Sequence, residues 1–89
     1  MQEKLEKLYR ETNTFPDGQD RLTGEVEYDF THRELIAEIS EDKVFIQAIE
    51  EETLDILEEP ERQEQYLYLE MDEAIKWING FLKSPGNFY

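Results

Sequence analysis

The sequence predicts a mainly α fold, a small bundle of three to four helices with an extended connection over residues 13–30. Three observations carry that prediction. Thr31-His32-Arg33-Glu34 has the form of a helix capping box, with Phe30 and Leu35 at the two positions of a hydrophobic staple. Phe45, Ile46, Ile49, Thr53, Ile56 and Leu57 fall within about 120° of a helical wheel. Leu67, Met71, Ala74, Ile75, Ile78, Phe81 and Leu82 form a second stripe of similar width.

The elements follow in order. Residues 2–12 read as a short helix, with Leu5, Leu8, Tyr9 and Thr12 on one face and Glu3–Lys7 and Glu6–Arg10 as acid-before-base pairs at i,i+4. NTFPDGQDRLTG then breaks the period, and Phe15-Pro16-Asp17-Gly18 has turn chemistry. Glu25 to Phe30 alternates acid and apolar, which suits a short strand or an extended connection. A helix is expected from the capping box, with Leu35, Ile36 and Ile39 inward, and another from Phe45 to Leu57. Pro60 suits the first position of a last helix, with Glu61 and Glu64 in its early turns and Lys83 near its negative end. Ser84-Pro85-Gly86 stops it.

An α+β alternative, an antiparallel sheet flanked by terminal helices, competes with this reading. RELIAEIS and KVFIQAIE can pair across Glu41-Asp42, aligning Leu35 with Ala48, Ala37 with Ile46 and Ile39 with Val44, and Tyr66-Leu67-Tyr68-Leu69 would be a further strand. Against it, Glu41-Asp42 lacks the glycine that a tight hairpin turn wants, and glutamate favours helix over strand.

Length and composition bound the function. Eighty-nine residues make one domain, and 38% hydrophobic residues with five Phe, five Tyr and one Trp are too many for a disordered acidic chain. Without cysteine there is neither a disulfide nor a thiolate metal ligand. No apolar run is long enough to span a bilayer, and MQEKLEKLYR lacks a signal-peptide core, so a cytoplasmic protein is expected. The formal net charge is −14, and residues 25–75 hold eighteen acids against Arg33, Lys43 and Arg62, a net of −15. Such a field repels nucleic acid and anionic membrane and attracts basic surfaces. Within it, Glu50 to Gln65 reads EEETLDILEEPERQEQ, with eight carboxylates and one arginine.

No catalytic constellation is visible: no cysteine nucleophile, no serine motif on a strand–turn–helix and no glycine-rich phosphate loop. The single histidine, His32, offers one Asp29-x-x-His32 and not the paired motifs of a di-iron bundle, and no stretch matches a calcium loop. No metal or other cofactor is therefore expected. The candidate partner-binding residues are the acids on the outer side of the central helix, Glu50, Glu51, Asp55 and Glu58, together with Glu61. They are joined by Tyr66, Glu70, Glu73 and Trp77, spaced i, i+4, i+7 and i+11. Two bland readings stand beside these: a solubilising charged face, and Tyr66 and Trp77 packed against the first helix.

DFTHRELIAEI is similar to the first helix of the colicin DNase immunity proteins. The remaining segments do not follow in that family's order, and the tyrosine pair of its acidic second helix has no match, so no residue is carried over. As a class, small and very acidic chains resemble phage and plasmid inhibitors that imitate DNA. The expected function is a non-enzymatic binding protein whose carboxylates engage a basic site on another protein, mimicking nucleic acid to inhibit a DNA- or RNA-handling enzyme. The alternative is a structural, adaptor or chaperone subunit, a homo-oligomer included, in which charge serves solubility.

Overall fold

The computed structural model describes residues 3–28, 30–52 and 61–83 of the chain. The chain runs from helix α1 (Glu3–Thr12) through strands β1 (Phe15–Pro16), β2 (Arg21–Tyr28), β3 (Thr31–Ser40), β4 (Lys43–Glu52) and β5 (Glu61–Glu70) to helix α2 (Met71–Lys83). The strands form one antiparallel meander in the order β1-β2-β3-β4-β5. Both helices pack on one of its faces, and the opposite face carries no layer of described residues.

The bundle expected from the sequence is thereby overturned: of the described residues 56% are strand and 32% helix. The pairing is the α+β alternative, register included, with Leu35 opposite Ala48, Ala37 opposite Ile46 and Ile39 opposite Val44. The reason is burial. Alternate residues Leu35, Ala37 and Ile39 of β3, and Val44, Ile46 and Ala48 of β4, join one core with Leu5, Leu8, Leu22, Ala74, Ile78 and Phe81. Alternation buries these six residues on one side of the two strands, and the β-branched Ile and Val suit a pleated surface. Thr31 is no helix cap; it stands in β3 opposite Tyr28 and Glu52, and Phe30, the expected staple, is exposed. The segment likened to an immunity-protein helix is mostly strand. Glu61 and Glu64, placed in early helical turns by the sequence reading, belong to β5, and the last helix opens at Met71 instead. Thr53, Asp55, Ile56, Leu57, Glu58, Pro60 and the Ser84-Pro85-Gly86 stop lie outside the described residues.

The terminal helices agree with their sequence signals. α1 buries Leu5, Leu8 and Thr12, and Arg10 pairs with Glu6 at 2.5 Å. Its end is capped by Asn13 in the left-handed region (φ 54°), with the Thr14 N–H donating to the Tyr9 carbonyl, a Schellman-type closure. α2 turns Ala74, Ile78 and Phe81 inward. Asn79 Nδ2 donates to the Glu11 carbonyl at 2.9 Å, tying the two helices together. The expected 13–30 connection is β1, a turn containing Gly18 (φ 111°) and the full strand β2. Gly24 lets β2 pass close beneath α2, since a Cβ there would meet Leu82 and Thr14 side chains at 2.9 Å.

Two devices hold this arrangement. Arg33, 2% exposed on the helix-covered face, donates through Nε to Glu50 at 2.5 Å and through Nη1 to the Phe81 carbonyl at 3.0 Å. Its guanidinium lies 5.7 and 5.6 Å from the Tyr28 and Phe81 ring centres, and the Tyr28 hydroxyl donates to the Leu82 carbonyl. The strand side chains thus occupy carbonyls that the last turn of α2 leaves without intrahelical partners, and the cation suits the negative helix end. The second device is Lys4, which donates to the Glu41 carbonyl at 3.0 Å and to Asp42 Oδ1 at 2.9 Å. It secures a β3–β4 turn in which Glu41 takes a left-handed φ of 56° without being glycine. The Lys4 bond holds the Asp42 carboxyl below its ordinary range.

Candidate functional site

Antiparallel register turns the uncovered face into a grid read across β2, β3, β4 and β5. One row is Arg21, Glu38, Phe45 and Tyr68, and the next Thr23, Ile36, Gln47 and Tyr66, with Phe15 beyond Thr23. A third row is Glu25, Glu34, Ile49 and Glu64, and a fourth Glu27, His32, Glu51 and Arg62. Glu70 stands opposite Lys43 at the turn end. The middle of this face is apolar and aromatic: Phe15, Ile36, Phe45, Tyr66 and Tyr68 are all exposed. Phe45 and Tyr66 rings lie 6.4 Å apart, and Lys43 Nζ sits 5.3 Å from the Tyr68 ring centre. Around them stand seven carboxylates against Arg21, Lys43 and Arg62.

The basic residues of the face are engaged. Arg62 pairs with Glu51 at 3.2 Å and with Glu64 at 2.9 Å, and Arg21 faces Asp17 at 3.4 Å. The Tyr66 hydroxyl donates to Glu64 Oε2 at 3.0 Å. The Arg62 and Tyr66 bonds hold the Glu64 carboxyl below its ordinary range, and the bond to Glu64 pushes the Tyr66 phenol up. Arg62's own bonds to Glu64 raise its already high guanidinium.

Glu25 and Glu34 lie on the wall of a hollow of about 520 Å³ between β2, β3 and β4, with Phe15, Thr23, Ile36 and Ile49 among its other lining residues. Beside it, Glu25, Glu27 and His32 each bring one potential ligand atom within 4.8 Å of the others, and His32 lies 3.2 Å from Glu27 and 3.7 Å from Glu34. That trio is the described set able to approach a cation together. Glu25 and Glu27 are exposed, and ligand atoms held about 2.0–2.2 Å from one metal ion would have to draw closer together than 4.8 Å. Asp29 lies outside the described residues.

The residues singled out from the sequence are distributed by the strands. Glu51, Tyr66 and Glu70 come together on the uncovered face. Glu50 is turned to the other side, where it neutralises Arg33 with a side chain only 11% exposed. Glu61, at the start of β5, shares that side with Glu52, its register partner. The expected Tyr66–Glu70–Glu73–Trp77 helical stripe divides at the junction of β5 and α2. Glu73 is exposed on α2, and Trp77 is partly buried and stacked on Phe81 at 5.0 Å, packed against the core. Asp55 and Glu58 lie outside the described residues. Sequence reasoning did not single out Phe15, Glu25, Glu34, Ile36, Phe45 or Tyr68 as candidate binding residues. Their signal was the two-residue alternation, which a helical reading of Ile36 and Phe45 assigns to a core.

Compared with known protein families, curated proteins and solved structures, the chain matches none. Among the described residues no helix is long and apolar enough to cross a membrane.

Proposed function

We propose that this is a non-enzymatic, cytoplasmic binding protein that presents its uncovered sheet face to a basic site on another protein. The observation that carries the reading is the exposed strip Phe15, Ile36, Phe45, Tyr66 and Tyr68 set within a frame of carboxylates. A coat that served only solubility gains nothing from exposed aromatic and aliphatic side chains, which favour association. Aromatics beside carboxylates give an Arg- or Lys-rich surface buried area, cation–π contact and charge together. A net charge of −14 opposes direct contact with nucleic acid.

The same grid supports the narrower reading of a nucleic-acid mimic that inhibits a DNA- or RNA-handling enzyme, as phage- and plasmid-encoded inhibitors do. Same-face residues of a strand repeat every ~6.8 Å and those of neighbouring strands about 4.8 Å apart, so the sheet sets carboxylates at these spacings in a two-dimensional array around the apolar strip. A duplex likewise presents a charge for every ~1.7 Å of its axis. Successive turns of a central helix, the arrangement expected from the sequence, do not supply that array, because Glu50 and Glu51 lie in β4 with their side chains on opposite faces.

Capture from a cell lysate tests the reading. The immobilised chain at low salt should retain a basic nucleic-acid-handling protein that added salt or duplex DNA releases. Phe45→Ser/Tyr68→Ser should retain little of it. Equal retention by that variant, or retention of this chain alone, would overturn the proposal in favour of an adaptor or self-assembling subunit.

A further inference from the structure

We propose that the hollow beside Glu25 and Glu34 is a socket for a single arginine side chain of the basic partner. The inference rests on the reading of the uncovered face as a basic-protein binding surface, and it names the group that the surface takes in. Glu25 and Glu34 stand directly opposite each other in the β2–β3 register. Like charges so placed destabilise a sheet, and among the described residues this pair is relieved only in part, by His32 and the more distant field of Arg62 acting on Glu34. Among the described residues no lysine or arginine side chain forms an ion pair with either carboxylate: Arg62 is turned to Glu51 and Glu64, and Arg33 is buried beneath the sheet on Glu50. The nearest basic group is His32, 3.7 Å from Glu34. The pair therefore holds excess negative charge on the wall of a space of about 520 Å³.

The remaining lining decides which cation fits. Ile36 and Ile49 give the hollow apolar surface, and Phe15, 73% exposed, gives it an aromatic wall. A divalent metal ion seeks a shell of oxygen ligands and gains nothing from these three side chains. A lysine stem would lie along Ile36 and Ile49, but its ammonium is compact and strongly hydrated and gains less from the Phe15 ring and from two carboxylates at once. A guanidinium is planar, weakly hydrated, able to bridge carboxylates with its forked donors and suited to stacking on an aromatic face. Its aliphatic stem would lie along Ile36 and Ile49. Charge, shape and hydration thus favour arginine over lysine at this position, and arginine is also the residue with which nucleic-acid-binding surfaces grip phosphate.

The test is a titration of the full chain followed by ¹H–¹⁵N correlation spectra, with N-acetyl-arginine amide, N-acetyl-lysine amide and N-acetyl-citrulline amide as probes. The arginine probe should shift a contiguous set of amides at Phe15, Thr23–Glu25 and Glu34–Ile36, saturably and at millimolar concentration. The lysine probe should bind at least threefold more weakly, and the uncharged citrulline probe should produce no saturable shift. Glu25→Gln/Glu34→Gln, which removes an exposed repulsion and leaves the core untouched, should abolish the arginine response, and Phe15→Ala should weaken it severalfold. Equal response to lysine, shifts scattered over the whole acidic surface, or an unchanged response in the Gln/Gln variant would each overturn the socket. If the arginine probe fails while Phe45→Ser/Tyr68→Ser still loses the captured protein, the socket alone falls. If neither responds, the reading of the face falls with it.

Discussion

Glu41 shows how one residue can mislead a sequence argument. The absence of glycine at the β3–β4 turn weighs against a hairpin, yet the hairpin forms with Glu41 at φ 56°. The missing compensation is nonlocal: Lys4, thirty-seven positions away, holds the Glu41 carbonyl and the Asp42 carboxylate. No local pattern in the sequence announces that contact. A non-glycine residue in the left-handed region costs about 1–2 kcal/mol, offset in part by the greater freedom glycine has in the unfolded chain. Glu41→Gly should therefore stabilise the protein by about 0.5–1 kcal/mol in urea denaturation. Lys4→Ala should shift the midpoint the other way.

At the scale of elements, α1 and the Met71–Leu82 stripe of α2 were legible because three or more apolar residues repeat there at helical spacing and at no other. β3 and β4 were legible only as an alternative. Leu35, Ile39 and Ile46 fit both the helical stripes and the buried strand face, and a four-residue capping signal tipped the balance toward helix. Tertiary burial reversed it, since two strands covered by α1 and α2 bury Leu35, Ala37, Ile39, Val44, Ile46 and Ala48 together. Arg33 was not legible at all. It occupies a core-facing strand position and is matched by Glu50, one acid among the many that the sequence groups as surface. Removing one partner of such a pair leaves the other charged and buried. Arg33→Ala should cost about 3–5 kcal/mol in the same denaturation experiment, with the Phe81 carbonyl in the C-terminal turn of α2 losing its Arg33 donor. A cost below ~1 kcal/mol would show that the pair is as dispensable as an exposed one.

For the whole molecule, composition announced the excess charge and its location in the middle of the chain. What composition could not give is the side on which the charge acts. Pairing into strands sends Glu50 and Glu51 to opposite faces and brings Tyr66 and Tyr68 of β5 beside Phe45 and Ile36. Glu73 and Trp77 stay with α2 on the other side of the sheet. The proposed function therefore places recognition on the uncovered face and leaves the helix-side carboxylates to act only through the long-range field. Exposed charges away from a contact surface chiefly alter association rate and salt dependence. The most direct measurement compares the affinity of the captured basic partner for wild type, Tyr66→Ser/Tyr68→Ser and Asp72→Lys/Glu73→Lys. The sheet-face variant should lose about tenfold or more, as expected for central aromatic anchors, while the helix reversal should change affinity by about twofold or less at physiological salt. A helix reversal that weakens binding as much as the loss of the two tyrosines would contradict the assignment.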